Sequence, residues 1–262
     1  MYHLFADETN TSPATDERIK FFVYGGLIIP EDKLEELDRK IAELREKNGY
    51  SPEDSLKFDT QSKPASVSPE VFASIKSEVI KSCIQLDCKM LVYVVLHEIA
   101  KNQGLSQTIK WGADHIFQKF NSYLEGKNSV GFAIIDRLSD TTEFRLFTEK
   151  FTKGLIYPDE IRPLKRIKMF ASSCDNASHY SSVMDIVLGS FRYCINQPFN
   201  QAAAKSMMKD LVELIWADKN GEDLDPFRKG LTLRPVVDKI KIPEYKKEYE
   251  LLIDHINSLL KD

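Results

Sequence analysis

Three separate stretches of this chain hold the residues that could do chemistry, and all of them are carboxylates. The first stretch, Tyr2-His3-Leu4-Phe5-Ala6-Asp7-Glu8-Thr9, runs through apolar residues and closes on two adjacent acids. The second, Val130-Gly131-Phe132-Ala133-Ile134-Ile135-Asp136, again ends on an acid. The third sets Asp185 inside Val183-Met184-Asp185-Ile186-Val187-Leu188. An unpaired carboxylate is costly to remove from water, so a buried one must pair, become neutral or bind a cation. Taken singly, Asp7-Glu8 reads as a solvated strand end, and Asp185 as a partner for Arg192 or Ser182. Gathered in one place, Asp7, Asp136 and Asp185 read instead as a site for Mg²⁺ or Mn²⁺, hard ions that take oxygen ligands. Two such ions ~4 Å apart activate a water and stabilise the leaving oxygen of a phosphodiester, with no side-chain nucleophile required. No Ser or Cys sits in a nucleophile elbow. Strand alternation turns Glu8 away from Asp7, so Glu8 is at most a helper at the edge.

The elements around these acids decide whether they can meet. Residues 10–20 are a loop rich in turn formers, and Phe21–Pro30 is a buried strand forming a hairpin with the first. Helices are expected over residues 31–47 and 69–86, the second opened by Ser68-Pro69 as cap and first turn. Residues 88–96 are almost continuously apolar, as suits a central strand covered on both faces. A helix over 105–125, the strand 130–136, a helix over 141–153 and a strand 165–171 follow. Right-handed crossovers lay the last two strands parallel to the first. Asp7 and Asp136 then occupy neighbouring carboxyl ends, where ligand sites of open α/β sheets favour the crevice. The helix over 178–196 places Ser178, Ser182, Asp185, Gly189 and Arg192 on one stripe, free to lie close over that corner. The rest reads as helical, with helices over 199–217 and 244–260. The chain thus divides into a core over 1–196, with inserted helices at 31–86, and a helical C-terminal extension over 197–262 packed on it.

With a net charge of −4 over 262 residues, the chain has no global basic signature for nucleic acid. Arg162, Lys165, Arg166 and Lys168 form its one dense basic cluster. They read first as guards of an edge strand and second as phosphate contacts, with Lys165 on the face opposite Arg166 and Lys168. Cys83, Cys88, Cys174 and Cys194 make no CxxC pair. No leader-like segment and no apolar run of ~18 residues is seen, so a cytoplasmic chain with reduced thiols and no membrane partner is expected. His97 and His115 read as hydrogen-bonded or surface histidines. His179, at the start of the Asp185 helix, could protonate a leaving group.

Four stretches also carry a resemblance: "FADET" at the first strand, "FFVYGGLIIP" at the second, "AIIDR" around Asp136, and "SSCDNASHYSSVMDIVLGSFRYCIN" around Asp185. Over residues 1–196 the chain resembles the prokaryotic domain-of-unknown-function 3800 family of the ribonuclease H-like superfamily. The resemblance implies an α/β fold with a ribonuclease H-like mixed sheet flanked by helices. It implies Asp7, Asp136 and Asp185 as catalytic metal ligands with Glu8 assisting, Mg²⁺ or Mn²⁺ as cofactor, and nuclease action on DNA or RNA. The family often has Glu-Leu-Lys where this chain has Ser55-Leu56-Lys57, and Asp59, Glu98 and Asp114 are loose substitutes for a further acid. The alternatives are a catalytically inactive module for interaction or regulation, linked to phage defence or mobile elements, and a purely structural cluster.

Overall fold

The computed structural model describes all residues except 10–19, 102–103, 138–139, 175–176, 197–201, 221–222 and 261–262. Strand β1 (Tyr2–Thr9) pairs antiparallel with β2 (Phe21–Pro30), in register from Tyr2 opposite Pro30 to Thr9 opposite Val23. All ten residues of β2 are buried, because helices press on both of its faces. At Gly25 an added Cβ would lie 2.3 Å from Leu188, and at Gly26 it would lie 3.0 Å from Ile116. Each glycine therefore admits one covering helix.

After a 3₁₀ turn come helices α1 (Leu34–Lys47) and α2 (Pro69–Gln85). Helix α2 starts where expected: the Ser68 hydroxyl accepts from the Val71 amide, and Pro69 opens the first turn. Strand β3 (Lys89–Leu96), the short α3 (His97–Ala100), α4 (Leu105–Gly126), β4 (Gly131–Asp136) and α5 (Asp140–Thr152) follow. A two-stranded hairpin, β5 (Leu155–Ile156) and β6 (Ile161–Arg162), leads to β7 (Ile167–Ser173) and α6 (His179–Asn196). The chain ends with α7 (Ala202–Leu214), the small pair β8 (Asp218–Asn220) and β9 (Asp223–Asp225), then β10 (Leu231–Arg234) and α8 (Pro243–Leu260).

The main sheet has the order β10-β3-β2-β1-β4-β7. β1, β2 and β3 alternate in direction, whereas β4 runs parallel to β1 and β7 parallel to β4. The fold is a six-stranded mixed sheet between helical layers. One core packs α1, α2, α6, α7 and α8 on the face of Phe5, Val23, Leu27 and Val92. The other packs α4, with Leu146 of α5, on the face of Leu4, Tyr24, Leu91 and Ala133.

Two expectations need correction. The C-terminal part is not all helical, because Leu231–Arg234 adds parallel to β3 as the sixth strand. A four-residue strand before a proline carries too little periodicity to be recognised alone, and its pairing with β3 is non-local. Second, the basic strand begins at Ile167 rather than Lys165: the Ile167 amide donates to Leu164 O in a turn, so alternation does not apply to Lys165 and Arg166. β7 is a sheet edge, as its charges suggested.

Candidate carboxylate site

The pairing of β1 with β4 brings Asp7 and Asp136 together. Ala6 pairs with Ile135 in parallel register, so the two aspartates are the next residues on adjacent strands, which run ~4.8 Å apart. Phe5 and Ile134 pack into the core beneath α6, whereas Ala6 and Ile135 belong to the α4 face. Alternation therefore turns both Asp7 and Asp136 toward α6. Helix α6 comes down close at Gly25, the residue paired with Asp7: Met184 and Leu188 lie where a side chain would project. That approach carries Asp185 to the same place. Asp7, Asp136 and Asp185 line one pocket, with Phe5, Met184, Ser173 and Ser181 among its other walls. Its volume is about 30 Å³, room for an ion or a water and little more. Glu8 does not line this pocket.

The electrostatics fit a crowd of acids. Burial pushes the Asp7 carboxyl up to about 8, and Asp136, Glu8 and Asp185 add repulsion. The Glu8 amide, donating to Asp7 Oδ1 at 2.7 Å, offsets part of this. Glu8 is itself raised by burial and by Asp136. No cation pairs with Asp7 among the described residues.

Asp185 stands differently. Its Oδ2 accepts from the Phe58 amide at 2.6 Å. Phe58 lies against Gly189 of α6, where an added Cβ would come within 2.5 Å of its ring. Lys76 of α2, almost fully buried, donates to Phe58 O at 3.1 Å and sits over the Phe58 and Phe72 rings at 4.1 and 4.3 Å. Burial drives the Lys76 ammonium down to about 8, while Asp59 and Asp185 pull it upward. Burial likewise lowers Arg192, opposed by Asp185 and Asp59. Asp185 thus has two cations of its own chain in its electrostatic neighbourhood. Lys76 and Phe58 were not singled out from sequence. Yet Lys76 stands four residues from both Phe72 and Ile80, inside the apolar stripe of α2, and that misplaced charge was the available signal.

The other sequence candidates lie elsewhere. Asp114 pairs with the buried Lys150 at 2.8 Å, Glu98 pairs with Lys101 at 2.6 Å, and Asp59 caps a turn by accepting from the Gln61 amide at 2.9 Å. His179 does not line the pocket: its Nδ1 faces Asp38 of α1 at 3.1 Å, so the leaving-group role expected for it has no support. His115 is hydrogen-bonded as expected, whereas His97 packs edge-on to Phe22 with its Nε2 buried and without a hydrogen-bond partner among the described residues. Arg162 is ion-paired with Glu160, and Lys168 donates to Lys165 O. These contacts fit edge-strand charges rather than a phosphate track.

Among the described residues, no three Asp, Glu, His or Cys side chains are gathered closely enough to hold one metal ion. The three aspartates share a pocket without forming a ready three-ligand cage. Neither a scan against models of protein families nor a search of curated proteins finds a match to this chain. No helix among the described residues is long and apolar enough to cross a membrane.

Proposed function

We propose that the chain is a divalent-metal-dependent nuclease or related phosphodiesterase of ribonuclease H-like fold, acting on DNA or RNA at the Asp7–Asp136–Asp185 pocket. The observation that carries this reading is the meeting of two strand-end aspartates with a helix-borne third in one pocket, where burial, helped by the neighbouring acids, keeps Asp7 protonated near neutrality. Asp7, whose charged neighbours among the described residues are acids, gains most from a cation supplied by solvent. The sheet order β3-β2-β1-β4-β7, with β4 and β7 parallel to β1, is the layout that this reading calls for.

By ligand type the three carboxylates suit Mg²⁺ or Mn²⁺, although as placed they are not gathered closely enough to hold one ion together. Asp7 and Asp136 would hold the ion from the strand ends and Asp185 from α6. When bound, such an ion supplies Lewis-acid stabilisation and lowers the pKa of a water. The chain's own contributions can be separated from that chemistry. Asp7 must give up its proton before it can act as a ligand. The Phe58 amide fixes the orientation of Asp185, and Lys76 and Arg192 offset its charge. Ser173 and Ser181 offer hydroxyls at the pocket wall to a phosphate oxygen or a water.

One observation favours a second reading, an inactive ribonuclease H-like module for interaction or regulation: Asp185 is already hydrogen-bonded and flanked by cations of its own chain. One experiment separates the two. The melting temperature is measured with EDTA and with Mn²⁺ for the parent, Asp7→Asn and Asp136→Asn, and labelled DNA, RNA and hybrid duplexes are incubated with each. The nuclease reading expects a Mn²⁺-induced rise and cleavage, both lost in the two variants. A rise without cleavage favours the inactive module. No rise in the parent overturns the metal site.

A further inference from the structure

On the other face of the sheet, α4 and the end of β10 frame two adjoining clefts of about 500 Å³ each. His115, Gln118 and Arg234 line both clefts, and neither shares a lining residue with the carboxylate pocket. Arg234 is half-buried at the seam. Its backbone is anchored: Tyr249 of α8 donates its hydroxyl to Arg234 O at 2.5 Å and accepts from the Leu96 amide at 2.9 Å. Its Nε donates to His115 Nε2 at 2.9 Å. That bond fixes the histidine tautomer, because Nε2 must then be the acceptor. The proton lies on Nδ1, which donates to Trp111 O at 3.0 Å. Burial above all, with the Arg234 and Lys119 charges adding, lowers His115 to about 4, so the imidazole stays neutral and gives Arg234 no counter-charge.

A half-buried guanidinium normally meets a carboxylate or phosphate through its planar fork. Here the Nε edge is spent on a neutral ring, and among the described residues no acid forms an ion pair with Arg234. Asp238 lines the first cleft but makes none with it. The second cleft supplies the rest of a binding site. Its walls hold Trp111, 40% exposed, and Tyr157, whose ring lies 5.1 Å from the Arg162 guanidinium. Its floor is apolar, with Tyr93, Val95 and Ile99. A cleft of this size, mostly apolar with a few fixed polar groups, is the usual form of a small-molecule site.

We infer that this cleft binds a nucleoside monophosphate, with its phosphate on the guanidinium of Arg234 and its base against the exposed face of Trp111. The ligand class follows from the lining: the guanidinium requires an anion, the aromatic wall requires a planar ring, and a mononucleotide joins the two at a size the cleft accepts. Gln118, its Oε1 accepting from the Tyr157 hydroxyl at 3.2 Å, presents its amide N–H groups to a base edge.

The test uses the whole chain in EDTA, titrated with AMP, CMP, GMP and UMP by calorimetry and by tryptophan fluorescence. Saturable binding with quenching of Trp111 is expected for at least one of them. Trp216, packed edge-on to Tyr123, lines neither cleft and serves as the unquenched background. Arg234→Gln should weaken binding at least ~10-fold, the worth of one charge-assisted hydrogen bond, with Arg234→Lys intermediate. Trp111→Leu should abolish the quench and weaken binding ~5-fold or more. Asp7→Asn should bind as the parent does, which separates this cleft from the carboxylate pocket. The inference is overturned if none of the four nucleotides binds, if Arg234→Gln binds as tightly as the parent, or if inorganic phosphate alone competes as well as the nucleotide. Should Arg234→Gln fail to fold, Trp111→Leu decides, since its ring lies at the surface: unchanged affinity there overturns the inference as well.

Discussion

The burial of Asp7 beside other acids makes stability depend on pH in a way that one substitution should remove. Asp7 ionises near 8 in the folded chain, against an ordinary value of 3.8. Between these values the folded state holds a proton that the unfolded state has lost. Stability from this group is therefore fully present below the ordinary value, falls as pH rises, and levels off above the folded value. Each unit of difference is worth ~1.4 kcal/mol. Raising the pH from 6.5 to 9 crosses most of the last stretch and removes ~2 kcal/mol, or ~1 kcal/mol after allowance for the partial exposure of Asp7. For a chain of this size ~1 kcal/mol is a fall of roughly 2–4 °C in melting temperature. Asp7→Asn is neutral throughout and nearly isosteric, so it should lose this component. The variant should already be the more stable of the two at pH 6.5, and its lead should widen by that amount by pH 9. Glu8, also raised, leaves both with a shared residual slope, and the difference between the two curves cancels it. The window avoids most of the titration of the lowered histidines, His3, His97, His115 and His255, whose slopes have the opposite sign. The assay is urea unfolding in EDTA at half-unit pH steps. Parallel curves for parent and Asp7→Asn would show that Asp7 is not the strained carboxyl, and the argument for a cation-seeking pocket would fall with it.

Three further outcomes follow from the same contacts. Lys150, 1% exposed, pairs with Asp114 and Glu149 at 2.8 Å each, so Lys150→Ala should cost ~3 kcal/mol in urea unfolding by leaving Asp114 without its cation. Gly189→Ala would drive a methyl into Phe58 and should cost ~1–3 kcal/mol, read as a lowered melting temperature without metal. Asp185→Asn weakens the Phe58 amide bond and removes one of the two carboxylates, with Asp59, that act on Lys76 and Arg192, and should lower stability by ~1–3 kcal/mol in EDTA, whereas Asp7→Asn at neutral pH should not.

The sheet was legible because each major strand is an apolar run too long to be accidental and each crossover contains a helix with a clear stripe. β1, β4 and the helix bearing Asp185 could therefore be placed at one corner before any distance was known. β10 could not, because Leu231–Arg234 is only four residues long and its register is set by β3, more than a hundred residues earlier. The cleft it frames was hidden for the same reason. His115 and Arg234 mean little apart, and only the parallel pairing of β10 beside β3 sets the arginine against α4. The place of His179 was not legible, because α1 packs against the start of α6, where Tyr180 donates to Leu34 O at 3.1 Å, and this brings Asp38 to the imidazole.

Asp185 shows where residue type stops being informative. Its place inside an apolar run marked it as a group in need of a partner, which is correct, but the run cannot say whether that partner comes from solvent or from the chain. Phe58 lies 127 residues away and answers through its backbone amide, a donor that every residue except proline carries and no pattern reveals. Lys76 answers through a charge buried at a helix position where an apolar residue would ordinarily stand. Asp7 has no comparable answer among the described residues: its hydrogen bond comes from the next amide, and the charges acting on it are acids. The uncompensated acidity at this corner is therefore uneven. It is concentrated on the strand end, while the helix-borne aspartate is held in place by the fold. An ion entering the pocket would gain most at Asp7, and the loop that carries Phe58 would decide how far Asp185 can turn to meet it.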